Sequence, residues 1–134
     1  MPFVVDASIA ASWLLPDEYD PRAGKAYDLL DTDEAAAPSL WWYEIRNIFI
    51  VSERRGRIDA DQTRQALALL AGLAIRLDHA ADEPVLLALA RRHKLTVYDA
   101  AYLELALRLK TPLATLDQAL AAATRTEGVK LIGD

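Results

Sequence analysis

The chain predicts an α/β fold, a three-layer α/β/α sandwich around a mostly parallel sheet, and three observations carry that prediction. Short apolar runs of strand length alternate with helical patterns along the whole sequence, so successive strands are joined by right-handed crossovers that cover both faces of a sheet. Hydrophobic residues make up 53% of the 134, with only 5 Gly and 6 Pro, the balance of a packed, helix-rich globule. No Gly-, Pro- or Ser-rich linker divides the chain, and its length suits one core, so residues 1–134 are read as a single domain.

The elements follow in order. Phe3 to Asp6 is the first strand, and Ser8 to Leu15 a short helix broken by Pro16 and Asp17. A second helix covers Pro21 to Leu30, and Ala35-Ala36-Ala37 is the second strand. Pro38 and Ser39 open a long helix that runs to Arg55 and ends at Gly56. Asp59 caps a helix to Leu70, Ala74 to Leu77 is the third strand, and Asp82 to His93 is another helix. Thr96 to Tyr98 reads as a strand, Ala100 to Leu109 as a helix, and Leu113 to Thr115 as a strand. A last short helix follows Asp117, and Lys130-Leu131-Ile132 is read as a final edge strand.

Composition narrows the chemistry. The absence of Cys removes disulfides, zinc-thiolate sites and cysteine nucleophiles, which fits a reducing compartment. The longest apolar stretch, Ala66 to Ile75, is about half the ~20 residues of a membrane span, and the N-terminus carries an acid where a signal peptide carries basic residues; the expected location is cytoplasmic, away from membranes. A net charge of −5 speaks against a polyanionic partner, but Arg46, Arg54, Arg55 and Arg57 form one basic group and Arg91, Arg92 and Lys94 another. Each group also reads as an ordinary solvated helix face.

Four acids stand out by position. Asp6, Asp99 and Asp117 each close an apolar run and precede a helical pattern, the place where α/β sheets gather ligand-binding side chains at strand carboxyl ends. Converging carboxylates raise one another's pKa unless a cation compensates them, and hard oxygen ligands favour Mg²⁺ or Mn²⁺. The competing role for each Asp is helix N-capping. Ser8 and Thr115, two residues from Asp6 and Asp117, supply hydroxyls suited to orienting carboxylates or to holding water on a metal. In the long helix Leu40, Glu44, Asn47 and Val51 share one stripe, placing an acid and an amide among apolar residues on the expected sheet-facing side; the alternative has Glu44 at the helix edge in solvent. Trp41, Trp42, Tyr43, Ile45, Ile48, Phe49 and Ile50 make the remainder apolar nearly all round, which fits a subunit or partner interface or a wholly internal helix. Arg46, on the same helix as Glu44, is the first candidate for a substrate-phosphate contact, with an intramolecular ion pair as its rival.

At these residues the sequence resembles a known family. Val5-Asp6-Ala7-Ser8, Pro38 through Glu44 with Asn47, Tyr98-Asp99-Ala100-Ala101-Tyr102 and Leu113-Ala114-Thr115-Leu116-Asp117 look like the four motifs of PIN-domain nucleases, in the order, spacing and chain length of VapC toxins. That resemblance implies an endoribonuclease dependent on Mg²⁺ or Mn²⁺, acting on RNA. It also implies a homodimer and a cognate VapB-like antitoxin whose C-terminal segment wraps the toxin and sets a basic side chain in the acidic site. Carried over by position, Asp6, Glu44, Asp99 and Asp117 become the catalytic and metal-binding quartet, with Ser8, Asn47 and Thr115 in support. His79 and His93 lie outside the motifs, which disfavours a histidine-driven mechanism.

Other classes fit less well. A phosphoacceptor domain needs adjacent acids after the first strand, a haloacid-dehalogenase-like phosphatase needs Asp where Ser8 stands, and no Gly-rich phosphate loop or Gly-x-Ser-x-Gly elbow occurs. An RNA-processing nuclease outside a toxin–antitoxin pair, and a non-catalytic protein-binding module whose acids only cap helices, remain the rivals.

Overall fold

The structure, a computed structural model, describes residues 2–134. In chain order these form β1 (Phe3–Val5), α1 (Ala7–Leu14), α2 (Pro21–Leu29), β2 (Ala35–Pro38), α3 (Leu40–Arg54), α4 (Ala60–Ala71) and β3 (Ile75–Asp78). Then come α5 (Glu83–His93), α6 (Val97–Leu109), β4 (Leu113–Ala114) and α7 (Gln118–Thr126). The strands lie in the order β3-β2-β1-β4, all pairs parallel, with Val4 opposite Ala36 on one side and Leu113 on the other.

Strand side chains alternate between faces, and the core divides accordingly. Val4, Ala36 and Leu113 join Trp41, Ile45 and Phe49 of α3 and the apolar side of α6 in the larger cluster. Phe3, Val5, Ala35 and Ala114 meet Ile9 of α1 and Ala23 and Ala26 of α2 on the other face. Helices therefore cover both faces, as parallel sheets require. Among the described residues no helix is long and apolar enough to cross a membrane.

The chain winds from β1 through β2 to β3 in one direction and then returns to place β4 on the free side of β1. This makes the gap between β1 and β4 the switch point, where a crevice opens beyond the strands' carboxyl ends. Asp6 leaves β1 there and Thr115 to Asp117 leave β4, with the Asp6 N–H donating to the Ala114 carbonyl at 3.1 Å.

Several elements differ from the sequence-based expectation. Thr96 to Tyr98 is not a strand: Thr96 is the N-cap of α6 and accepts the Asp99 N–H at 3.1 Å, and Val97 and Tyr98 form the exposed first turn. Lys94 ends α5 in the left-handed conformation, φ 54°, so only Lys94 to Thr96 separates two helices and no strand fits. Lys130 to Ile132 makes one parallel bridge, Leu131 opposite Leu113, before Gly133 turns the chain at φ 85°. Pro38 belongs to β2, β3 begins one residue later than expected, and Thr115 lies beyond β4.

Candidate active site

Asp6 is built into the structure from three sides. It is the N-cap of α1, its Oδ1 accepting the Ile9 N–H at 3.1 Å and the Ser8 hydroxyl at 2.6 Å, while Oδ2 accepts the Thr115 hydroxyl from beyond β4. Ser8 Oγ in turn accepts the Leu116 N–H, and Thr115 Oγ1 accepts the Asp117 N–H, both at 3.0 Å. The two hydroxyls thus stitch the ends of β1 and β4 together around one carboxylate. Asp6 is 5% exposed, and burial pushes its carboxyl above the usual carboxylate range despite these hydrogen bonds; the Asp117 charge adds to the rise. Three acceptor positions are filled out of about four on a carboxylate, leaving room for one more partner.

Asp117 is the N-cap of α7, its Oδ2 accepting the Leu120 N–H at 2.8 Å. Asp99 sits in the first turn of α6 and is not its cap. Its carboxyl is raised, chiefly by burial and then by the Asp117 charge, with Thr96 opposing. Glu44 arrives from the second turn of α3, where its Oε1 accepts the hydroxyl of Tyr102 on α6. Burial, then the charges of Asp99 and Asp6, raise its pKa against that hydrogen bond. Four acids from four elements thus act on one another in a chain of mutual repulsion.

No cationic side chain among the described residues pairs with these acids to offset that repulsion. Every ion pair among the described residues lies elsewhere, and none includes Asp6, Glu44, Asp99 or Asp117. Among the described residues no group of three or more acidic or imidazole side chains is placed to hold a metal ion by itself. The four carboxylates supply a set of hard oxygen donors that influence one another without enclosing a site. The set fits Mg²⁺, which keeps several waters and takes one or two carboxylates together with substrate phosphate, better than a cation needing full protein coordination.

The remaining candidates are placed differently. The stripe expected to face the sheet is displaced: Trp41, Ile45, Phe49 and Ser52 are the buried face of α3, Glu44 lies on its margin, and Asn47 is exposed. Arg46 stands two residues from Glu44, about 200° around the helix, and so flanks the other side of the buried face. Its guanidinium lies 3.6 Å over the Trp42 ring and donates to the Trp42 carbonyl at 3.0 Å, beside a small cavity of 190 Å³ with Leu70 and Leu73. The structure therefore does not bring Arg46 to the carboxylates, nor does it form the ion pair considered as its alternative. The apolar surface of α3 divides: Trp41, Ile45 and Phe49 are internal, while Trp42, Tyr43 and Ile50 remain exposed.

From the sequence, Tyr102 beside Asp99 reads as core or rim and Thr96 as the start of a strand, and neither is assigned to the site. Thr96 stands three residues before Asp99, the spacing of a cap and its first turn, and Tyr102 stands three after it, on the same helix face.

Comparison with known proteins adds an independent line. A family model described as PIN domain matches residues 3–125. Ribonuclease VapC3 of Pyrobaculum aerophilum is 36% identical over 124 residues, spanning 90% of this chain and 93% of that protein. The crystal structure of PAE2754 from Pyrobaculum aerophilum aligns with a TM-score of 0.74 at 24% identity, covering 98% of this chain and 90% of that one. VapBC2 from Rickettsia felis, solved bound to a DNA fragment from their promoter, aligns at 0.66 with 13% identity, covering 98% and 97%. At these identities the two structures speak to the fold.

Proposed function

The chain belongs to the PIN-domain family, and from that premise we propose that it is the toxin of a type II toxin–antitoxin pair, a divalent-metal-dependent endoribonuclease that hydrolyses RNA phosphodiester bonds. The observation that carries this reading is that Asp6, Glu44, Asp99 and Asp117 act on one another from four elements with no basic partner among the described residues. The kinship with a protein named as a ribonuclease supports it.

Asp6, Asp99 and Asp117 would hold Mg²⁺ or Mn²⁺, directly or through water. When bound, the cation supplies charge neutralisation at the phosphoryl oxygens and acidifies water. Ser8 and Thr115 keep the Asp6 carboxylate fixed, so the order of the site is set before substrate arrives. Glu44 has one oxygen held by Tyr102 and a second with no hydrogen bond among the described residues. We assign that Oε2 to the attacking water, through which Glu44 would also help to hold the cation. As the water oxygen bonds to phosphorus, one of its protons passes to Oε2, and the P–O bond to the leaving nucleoside oxygen breaks with the electron pair staying on that oxygen, which takes a proton from bulk water. A raised pKa suits Glu44 to this proton transfer.

RNA is the substrate on this reading, and its site of action is the cytoplasm. The partner is a VapB-like antitoxin, because the uncompensated acids invite a basic side chain and structural neighbours include complexes of toxin with antitoxin. Exposed Trp42, Tyr43 and Ile50 on α3 are offered as part of a homodimer contact.

The protein freed of antitoxin should cut RNA in Mg²⁺ or Mn²⁺ and stop in EDTA. Asp99→Asn, which removes no cap, should lower cleavage by at least about tenfold in a folded protein. Undiminished cleavage by Asp99→Asn, or cleavage indifferent to EDTA, refutes the reading.

A further inference from the structure

Tyr102 is among the largest fully buried side chains of the molecule, 1% exposed, in the core cluster that α6 shares with the sheet. Its hydroxyl is delivered to Glu44 Oε1 on a different helix, 58 residues earlier in the chain. Packing does not ask for that hydroxyl. Phenylalanine would fill the same space without a polar group to satisfy, and a half-buried Glu44 can be hydrated without a phenol. The pairing instead restrains a side chain that its surroundings push away. Glu44 carries several rotatable bonds and faces the like charges of Asp99 and Asp6, so an unrestrained carboxylate turns toward water.

We propose that Tyr102 is a positioning residue: it pins Glu44 Oε1 so that Oε2 is held toward the neighbouring acids Asp6, Asp99 and Asp117. This rests on the nuclease reading above and adds to it a residue outside the acidic quartet. Because Tyr102 and Asp99 share α6, the same hydrogen bond also sets the separation of α6 from α3 at the site.

The experiment uses the full chain freed of antitoxin, wild type and Tyr102→Phe, each alone and with Glu44→Gln. Mn²⁺ affinity is read from water-proton relaxation and RNA cleavage from steady-state kinetics. Tyr102→Phe should weaken Mn²⁺ binding and lower kcat, each by about 10- to 100-fold, with KM for RNA within about threefold of wild type. In the Glu44→Gln background the same substitution should leave Mn²⁺ affinity unchanged, because the hydroxyl acts only through that carboxylate. A second readout keeps residue 102 a tyrosine: in protein labelled with 3-fluorotyrosine, the fluorine resonance of residue 102 should move when Mg²⁺ is added to wild type and stay still in Glu44→Gln. A folded Tyr102→Phe with wild-type affinity and kcat overturns the proposal. So does an equal loss of affinity in both backgrounds, or a fluorine resonance indifferent to Mg²⁺. A wild type that neither binds Mn²⁺ nor cuts RNA instead removes the nuclease reading, and this inference with it.

Discussion

At Asp117 one carboxylate oxygen caps α7 by accepting the Leu120 N–H at 2.8 Å, and the other has no hydrogen bond among the described residues. Asp6 likewise caps α1 while reaching across to Thr115. Capping and catalysis were rival readings of these residues; the geometry allows both, because a carboxylate has about four acceptor positions and a cap uses one. Substitution separates the roles at Asp117. Asn caps nearly as well as Asp, so Asp117→Asn should melt within a degree or two of wild type yet lose at least about tenfold in RNA cleavage. Asp117→Ala should lose the cap as well, about 1 kcal/mol, seen as a lower Tm. Full cleavage by a stable Asp117→Asn would make this residue a cap alone. Asp99 offers the contrast, since Thr96 occupies its helix's cap and its carboxylate is free of that duty.

The first turn of α6 joins local structure to the site. Thr96 Oγ1 accepts the Asp99 N–H, so the cap fixes the peptide that carries the acid. Thr96→Ala should cost about 1 kcal/mol in thermal or denaturant unfolding, and it should weaken Mn²⁺ binding beyond what the lost stability explains, because the turn bearing Asp99 frays; Thr96→Ser should restore both. Unchanged Mn²⁺ affinity in Thr96→Ala would detach the cap from the site. This same turn is where the sequence misleads. Leu95-Thr96-Val97-Tyr98 has strand-like composition, and only the Thr96-to-Asp99 spacing hints at a helix start. β1, β2 and the helices were legible because their apolar residues recur with the period of the element and turn residues bound them. The α3 stripe was misplaced because that helix is apolar on most sides, so periodicity does not choose which side faces the sheet; tertiary packing chose Trp41, Ile45 and Phe49. The pairing of Tyr102 with Glu44 is illegible for another reason, as it depends on two helices meeting on the same face of the sheet, which no local pattern records.

For the whole molecule, the carboxylates fall into two sets with opposite effects on stability. Asp78 is held below its usual range by Arg108, and Glu127 by His93 and Arg92. Their stabilisation is present above the unfolded-state values and is lost as pH falls through the lower folded ones. Asp6, Glu44 and Asp99 are raised, burial being the first cause in each. Between their unfolded values, 3.8 for Asp and 4.5 for Glu, and their higher folded values, the native protein binds more protons than the unfolded chain, so stability falls as pH rises through that window. The metal-free protein should therefore be most stable in mild acid and lose Tm on the way to neutral pH. A cation binding only the folded state stabilises it by an amount that grows with its concentration over Kd, and it binds the deprotonated acids best. Mg²⁺ or Mn²⁺ should consequently raise Tm strongly at neutral pH, little in mild acid, and so flatten the pH profile. Asp6→Asn removes one buried charge and should flatten the metal-free profile by itself while blunting the response to Mn²⁺. Thermal melts with EDTA or Mn²⁺ across this range test the argument. A metal-free Tm that climbs from mild acid to neutral pH, or a Mn²⁺ shift as large in Asp6→Asn as in wild type, would show that the four acids do not share one electrostatic site.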